Sequence, residues 1–314
     1  SGFFSSASIS PRFFSSHAFA SFLRSSADFS TASFLQILQS VVNAPLKKYL
    51  FEGPEETLTR TDITQPAICL VSLAALRLAK SRGLNAIAAC GHSLGEYAAL
   101  VSAGVLGEMD AVRLVAKRGA AMQSAADAAP GKMAAVVGLG MWAAEQNLTG
   151  LTGVQIAAQN APDQIVISGE YAAVDGAVEK MKLAGAKNAV VLKTSGAWHS
   201  HLMASAAPPL HEALKSVRLN PARFPVVANA TAVTFPADSA AVADLLVRQL
   251  TSPIRFVECL QKMRELGVEA FIALGPGKVL RGLVKKFDRT ITACNIETMS
   301  SLDETVKALS VKAA

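Results

Sequence analysis

From residue 34 onward the chain alternates between short apolar runs and stretches in which apolar residues recur every three or four positions. Phe34, Leu35, Leu38 and Val41 or Val42 predict a first helix, broken at Gly53-Pro54. A second helix is expected from Gln65-Pro66, with proline in the first turn, through Ala67, Leu70, Val71, Ala74 and Leu78 to a stop at Gly83. The apolar run Ile87-Ala-Ala-Cys90 then meets Gly91, and a helix-forming run leads from Leu94 to Gly104. A long helix follows from about Met109 to Ala126.

Between Gly131 and Lys193 the texture changes. Strands are expected at Met133–Gly138, Val154–Ala158, Gln164–Ser168 and Ala189–Leu192, and helices at Ala143–Leu148 and Tyr171–Ala184. The link between the middle strands is Asn160-Ala-Pro-Asp163. That order, β-α-β-β-α-β, predicts a ferredoxin-like subdomain over residues 130–197, inserted into a larger unit of residues 34–129 and 198–314. A cleft between the two is the expected substrate site. The last third predicts a strand at Phe224–Asn229, a helix carrying Leu245–Leu250, and another from Phe256 to Leu266. A buried strand, Ala270–Leu274, should enter the turn Gly275-Pro-Gly-Lys-Val-Leu280, which lacks P-loop spacing and reads as structural.

Composition narrows the classes. With 51% hydrophobic and 17% charged residues over 314 positions, the chain can bury a large core and is not a disordered protein. No apolar run approaches the ~20 residues of a membrane span, so no transmembrane segment is expected. Cys69, Cys90, Cys259 and Cys294 are scattered without metal-ligand spacing, so neither a metal nor a cofactor is expected. The net charge of +6 suits anionic partners such as acidic carrier proteins. Lys285, Lys286 and Arg289 are candidate contacts for such a carrier; no nucleic-acid partner is expected. Residues 1–33 stand apart: Ser1–Ala27 is rich in Ser, Phe and Ala, carries Arg12 and Arg24, and has no acidic residue. That composition predicts an organellar targeting segment or disordered extension, and hence a mitochondrial matrix or plastid stroma location.

The chemistry gathers at Gly91-His-Ser-Leu-Gly95. In G-x-S-x-G the glycines lack the side chains that would collide where a strand turns sharply into a helix, which leaves Ser93 exposed as a nucleophile. The Leu94 amide, at the helix start, can face the oxyanion formed when Ser93 attacks a carbonyl. On the long helix Val112, Val115, Arg118 and Met122 share a face, so Arg118 lies on the apolar stripe. A guanidinium there must find an anion or reach water: as a structural salt bridge, as a stem snorkelling to solvent, or on the carboxylate of a substrate. A serine nucleophile also needs a base. His17 lies in the leader-like segment, His211 in a solvent-facing run, and His92 points away from the elbow. His199 and His201 remain, inseparable by spacing.

Gly91-His-Ser-Leu-Gly-Glu96, Val112-Arg-Leu-Val-Ala-Lys-Arg-Gly119, Ser195-Gly-Ala-Trp-His-Ser200, Leu246-Val-Arg-Gln-Leu250 and Gly275-Pro-Gly-Lys-Val279 resemble the motif series of malonyl-CoA:acyl carrier protein transacylases. Glu52-Gly-Pro-Glu-Glu56 and Thr64-Gln-Pro-Ala67 fit as well, and the resemblance runs from about residue 34 to the end. It implies an α/β-hydrolase-like core with the ferredoxin-like insert, Ser93 as the acylated nucleophile and His199 as its base. Arg118 would bind the malonyl carboxylate, and Gln249 would help position the base. Trp198 would stand as a bulky wall against branched acyl groups, and Asn160 as a further substrate contact. The partners implied are malonyl-CoA and acyl carrier protein, and the pathway fatty acid biosynthesis. The family's N-terminal strand and G-Q-G-x-Q loop, which supply a second oxyanion donor, have no counterpart before Phe34. The rival expectation is therefore a non-catalytic, acyltransferase-like structural subunit of a larger organellar assembly.

Overall fold

The structure, a computed structural model, describes residues 60–310; the helix expected near Phe34 and the segment 1–33 lie outside them. The first helix, α1 (Thr61–Ser81), begins four residues before the expected Gln65 start. Pro66 therefore stands inside the helix rather than in its first turn, and its missing N–H removes one bond of the ladder. α1 is apolar nearly all round. It is long and apolar enough to cross a membrane, yet 83% of its most apolar window is buried inside the protein, so it is a core helix.

α1 packs against α3 (Glu108–Ala128), with α2 (Gly95–Ser102) beside both. The two-residue strand β1 (Ala89–Cys90) enters α2 through the Ser93 turn. Then come β2 (Lys132–Val137), α4 (Met141–Leu148), β3 (Val154–Ala161), β4 (Gln164–Gly169), α5 (Tyr171–Leu183) and β5 (Asn188–Val191). They form one antiparallel sheet in the order β3-β4-β2-β5. Both faces of this sheet are covered, and the side chains alternate between two cores. Ala134, Val136, Ile165 and Ile167 pack with α4 and α5, whereas Met133, Ala135 and Val166 join the main core.

β3 runs past the expected Ala158 to Ala161, through two irregularities that turn its end toward the larger unit. There the Gln159 amide donates to the Ile254 carbonyl at 2.9 Å, and the Ile254 amide to that of Ala157 at 2.9 Å. Asn160, expected in the link, thus sits in a strand against the elbow-bearing unit.

A 3-10 turn (His201–Ala206) leads into α6 (Ala207–Leu214), β6 (Val226–Val227) and α7 (Ser239–Arg248). The expected helix through Leu250 stops at Arg248, and Gln249–Thr251 forms a 3-10 turn. α8 (Phe256–Glu265), β7 (Ala270–Leu274), α9 (Val279–Phe287), β8 (Thr292–Ile296) and α10 (Met299–Ser310) complete the described chain. The parallel strands of the larger unit form two separate pairs, β1 with β6 and β7 with β8. Between β1 and β7 lies a cavity of about 1160 Å³, whose apolar lining includes Ile68, Ala88, Phe271 and Leu283.

Candidate active site

The turn after β1 is as tight as its first glycine predicts. A Cβ on Gly91 would stand 2.0 Å from the Gly95 carbonyl carbon, so no side chain fits where the strand meets the helix. Gly95 differs from expectation: a Cβ there would meet nothing within 4 Å, and the steric argument belongs to Gly91 alone. Ser93 has φ +54°, a left-handed conformation costly for a residue with a side chain. Its surroundings hold it there. The Ser93 amide donates to Asn229 Oδ1 at 2.8 Å, Asn229 Nδ2 donates to the Gly91 carbonyl at 2.7 Å, and Gln249 Nε2 donates to the Ser93 carbonyl at 2.9 Å. The amides of Gly95, Glu96 and Tyr97 bond back to His92, Ser93 and Leu94. Among the described residues the Leu94 N–H has no acceptor and is free to meet an oxyanion.

The structure separates the two histidines. Ser93 Oγ lies 2.8 Å from His199 Nε2, whereas His201, half exposed, stands 3.7 Å from Glu170. His199 Nδ1 is 2.9 Å from the main-chain carbonyl of Gln249. A carbonyl only accepts, so Nδ1 carries the proton and Nε2 presents a lone pair to the serine hydroxyl. Burial, then the nearby Arg118 charge, lowers the His199 pKa to about 3, which keeps the imidazole neutral and ready to act as a base. His199 also sits at positive φ, +58°, and Gln155 Nε2 of β3 holds its carbonyl at 3.1 Å.

Arg118 is 1% exposed, as its place on the apolar stripe requires. Its Nη2 donates to Ser93 Oγ at 2.9 Å and to Gln249 Oε1 at 2.9 Å, and its Nη1 to Gln65 Oε1. None of these acceptors carries a formal charge, and Arg118 Nε has no partner among the described residues. Burial lowers the pKa of the guanidinium, yet it stays a cation with spare donors directed at the nucleophile. A buried cation with spare donors beside a nucleophile suits an anionic group next to the reacting carbon.

The remaining expected residues divide. Gln249 joins Arg118, Ser93 and His199, as described. Trp198 is buried beside His199, its ring 2.7 Å from where a Gly196 Cβ would stand. Asn160 reaches the elbow differently: its Oδ1 is 2.7 Å from His92 Nε2, and His92 lies edge-on to Phe256. Asn160 and His92 therefore tie the inserted unit to the elbow. Lys285 caps the main-chain carbonyls of Arg289 and Ile291, and Lys286 bonds Gln164, so both ammonium groups are engaged within the chain. The Gly275–Gly277 turn is fastened by Gly277 N to Glu297 at 2.8 Å, in keeping with a structural role. Sequence patterning alone assigns no role to Gln65, Glu96, Gln155 or Asn229. Gln65 and Glu96 stand within motifs, and each is a polar residue on an otherwise buried helix face, which was the available signal.

A serine held out on a strained elbow, a neutral histidine at its hydroxyl and a free amide for an oxyanion make up a serine-dependent acyl-transfer site. Accordingly, the chain belongs to the acyl transferase domain family, whose pattern matches residues 15–304. That match begins inside the 1–33 segment. The malonyl CoA-acyl carrier protein transacylase of Bacillus subtilis strain 168 is 43% identical over 269 residues, covering 83% of this chain and 84% of its own. The crystal structure of the corresponding protein from Clostridium perfringens superposes with a TM-score of 0.87 at 32% identity, covering 94% of this chain and 93% of that one. A malonyl-transacylase solved in complex with its type II PKS acyl-carrier protein superposes with a TM-score of 0.81 at 36% identity, covering 88% and 90%.

Proposed function

We propose that this enzyme transfers the malonyl group of malonyl-CoA to the phosphopantetheine thiol of acyl carrier protein, through a malonyl ester on Ser93, in fatty acid biosynthesis. One observation carries the reading: a single oxygen, Ser93 Oγ, lies 2.8 Å from the base His199 and 2.9 Å from the buried cation Arg118. Nucleophile, base and anion receptor share one point, which suits an acyl group bearing its own carboxylate.

Arg118 binds that carboxylate and places the thioester carbonyl over Ser93. His199 Nε2 takes the hydroxyl proton as Oγ attacks, and the Leu94 N–H receives the charge on the carbonyl oxygen. The C–S bond breaks, and the coenzyme A sulfur takes the proton from His199. In the second half the carrier thiol gives its proton to His199 and attacks the ester carbonyl. Ser93 leaves and regains the proton. The same residues serve both directions, as ping-pong transfer requires. A non-catalytic structural subunit has no need of this convergence, and nothing among the relatives favours that alternative.

The finer architecture supports the same reading. Residues 130–197 are taken as a ferredoxin-like subdomain because their strands lie in the order second-third-first-fourth. The remainder, residues 34–129 and 198–314, is taken as α/β-hydrolase-like because its nucleophile sits between a parallel strand and a helix.

Intact-protein mass spectrometry after brief exposure to malonyl-CoA tests the proposal. A single malonyl adduct on the wild type, absent from Ser93→Ala, is expected. An adduct retained by the variant, or none on the folded wild type, overturns it.

A further inference from the structure

The groups that hold the reacting residues converge on one buried carboxylate the reaction does not use. Glu96, three residues after the nucleophile, is 1% exposed. One of its oxygens accepts the main-chain N–H of Asn229, and the other accepts Gln249 Nε2 at 2.6 Å. Asn229 in turn holds the Ser93 amide. Gln249 presents its side-chain oxygen to Arg118 and its main-chain oxygen to His199.

We propose that Glu96 is the positioning residue of this site: its carboxylate, which can only accept, fixes the direction of the Gln249 amide and thereby aims Arg118 and His199. The proposal rests on the acyl-transfer reading above. An amide can be reversed end for end at little cost in shape, so something must choose. With Glu96 ionised, Gln249 Nε2 faces three oxygens, those of Glu96 at 2.6 Å, Ser93 at 2.9 Å and Asn229 at 3.4 Å, and its Oε1 is left for the Arg118 donor. Once Glu96 carries a proton, one of its oxygens becomes a donor facing an N–H, the closest acceptor of Gln249 Nε2 is weakened, and the orientation rests mainly on the Ser93 carbonyl and Arg118.

Burial raises the Glu96 pKa to about 8, opposed by the Asn229 N–H, the Arg118 charge and Gln249. The other titratable groups around it are Arg118 from α3, Tyr97 beside it on α2, Cys90 on β1 and Cys259 on α8. Burial pushes the Cys90 thiol to about 12 and raises Cys259 and Tyr97 further, while His199 is held near 3. Between pH 5.5 and 9.5 only Glu96 among these groups changes charge.

The test is the single-turnover rate of Ser93 malonylation by malonyl-CoA across that range, for wild type and Glu96→Gln. This half-reaction has no attacking thiol to confuse the profile. The wild-type rate should rise through an apparent pKa near 8, with Glu96→Gln flat. The two should lie within about threefold at pH 6 and differ by roughly 10–100-fold at pH 9. Profiles that run parallel, at equal or constantly offset rates, overturn the proposal. If Glu96→Gln does not fold, infrared difference spectra of the wild type decide. A protonated-carboxyl band should vanish over the same pH range as the rate rises, and its absence overturns the idea. Failure of wild-type malonylation at every pH refutes instead the acyl-transfer reading itself.

Discussion

The inserted sheet and the residues that hold the serine elbow both reach into the core, yet opposite forces hold them. In the sheet, β2 and β4 alternate Ala134, Val136, Ile165 and Ile167 toward one core and Met133, Ala135 and Val166 toward another. Its order comes from regular ladders and apolar burial. Around the elbow the strands are two residues long, two residues sit at positive φ, and Glu96, Asn229, Gln249, Arg118 and His199 are all buried. Hydrogen bonds among polar side chains replace the ladder there. A pleated sheet tolerates small volume changes by relaxing, whereas a network of directed donors and acceptors fails as a unit. The reactive geometry lies in the part least able to drift.

That contrast can be broken at three points. The largest effect is expected at Gly91→Ala, whose new Cβ would collide with the Gly95 backbone. It should cost more than about 4 kcal/mol or abolish folding, while Gly95→Ala keeps a near wild-type melting temperature. Equal melting points for the two would show that the close approach does not govern the elbow. Arg118→Ala should leave a folded enzyme whose kcat/KM for malonyl-CoA falls by about 10²–10³, with a much smaller loss for an acyl-CoA lacking the carboxylate. Equal losses for both substrates would remove Arg118 as the carboxylate receptor. The smallest effect on the chemistry belongs to Ile167→Ala in the sheet. Urea denaturation should show a loss of about 2–5 kcal/mol, with kcat unchanged below the melting temperature. A parallel fall in kcat would mean that the sheet's packing is coupled to the site.

The same contrast decided what could be read from the chain. All four strands and both helices of the insert were legible to within about three residues at their ends, because an apolar run of four or more residues carries its own period. Ser93 and Arg118 were legible too, one through its flanking glycines and the other as a charge on an apolar stripe. His199 was not separable from His201 until its motif was considered, since two positions apart both fit any spacing argument. The roles of Glu96, Asn229 and Gln155 are not legible in the sequence because their partners lie far along the chain: 153 positions part Glu96 from Gln249, and 136 part Ser93 from Asn229. Local patterning holds no trace of such pairings. β6 and β1 were overestimated in length, as two-residue strands are set by their partners rather than by their own sequence.

The orienting group of His199 is a peptide carbonyl, and this bears on water. A carboxylate at that position would favour the imidazolium and make a strong base; a carbonyl in a buried pocket does so less, and the ring stays a weak one. A thiol, with a pKa near 8.5, ionises far more readily than water, at about 15.7, and so asks little of a weak base. The Ser93 hydroxyl is also a weak acid, but it is already aligned on His199 Nε2 at 2.8 Å and beside the Arg118 cation, help that an incoming water does not have. The acyl-serine is thereby left to wait for sulfur rather than being lost to hydrolysis, and a neutral backbone oxygen becomes part of what makes this site a transferase.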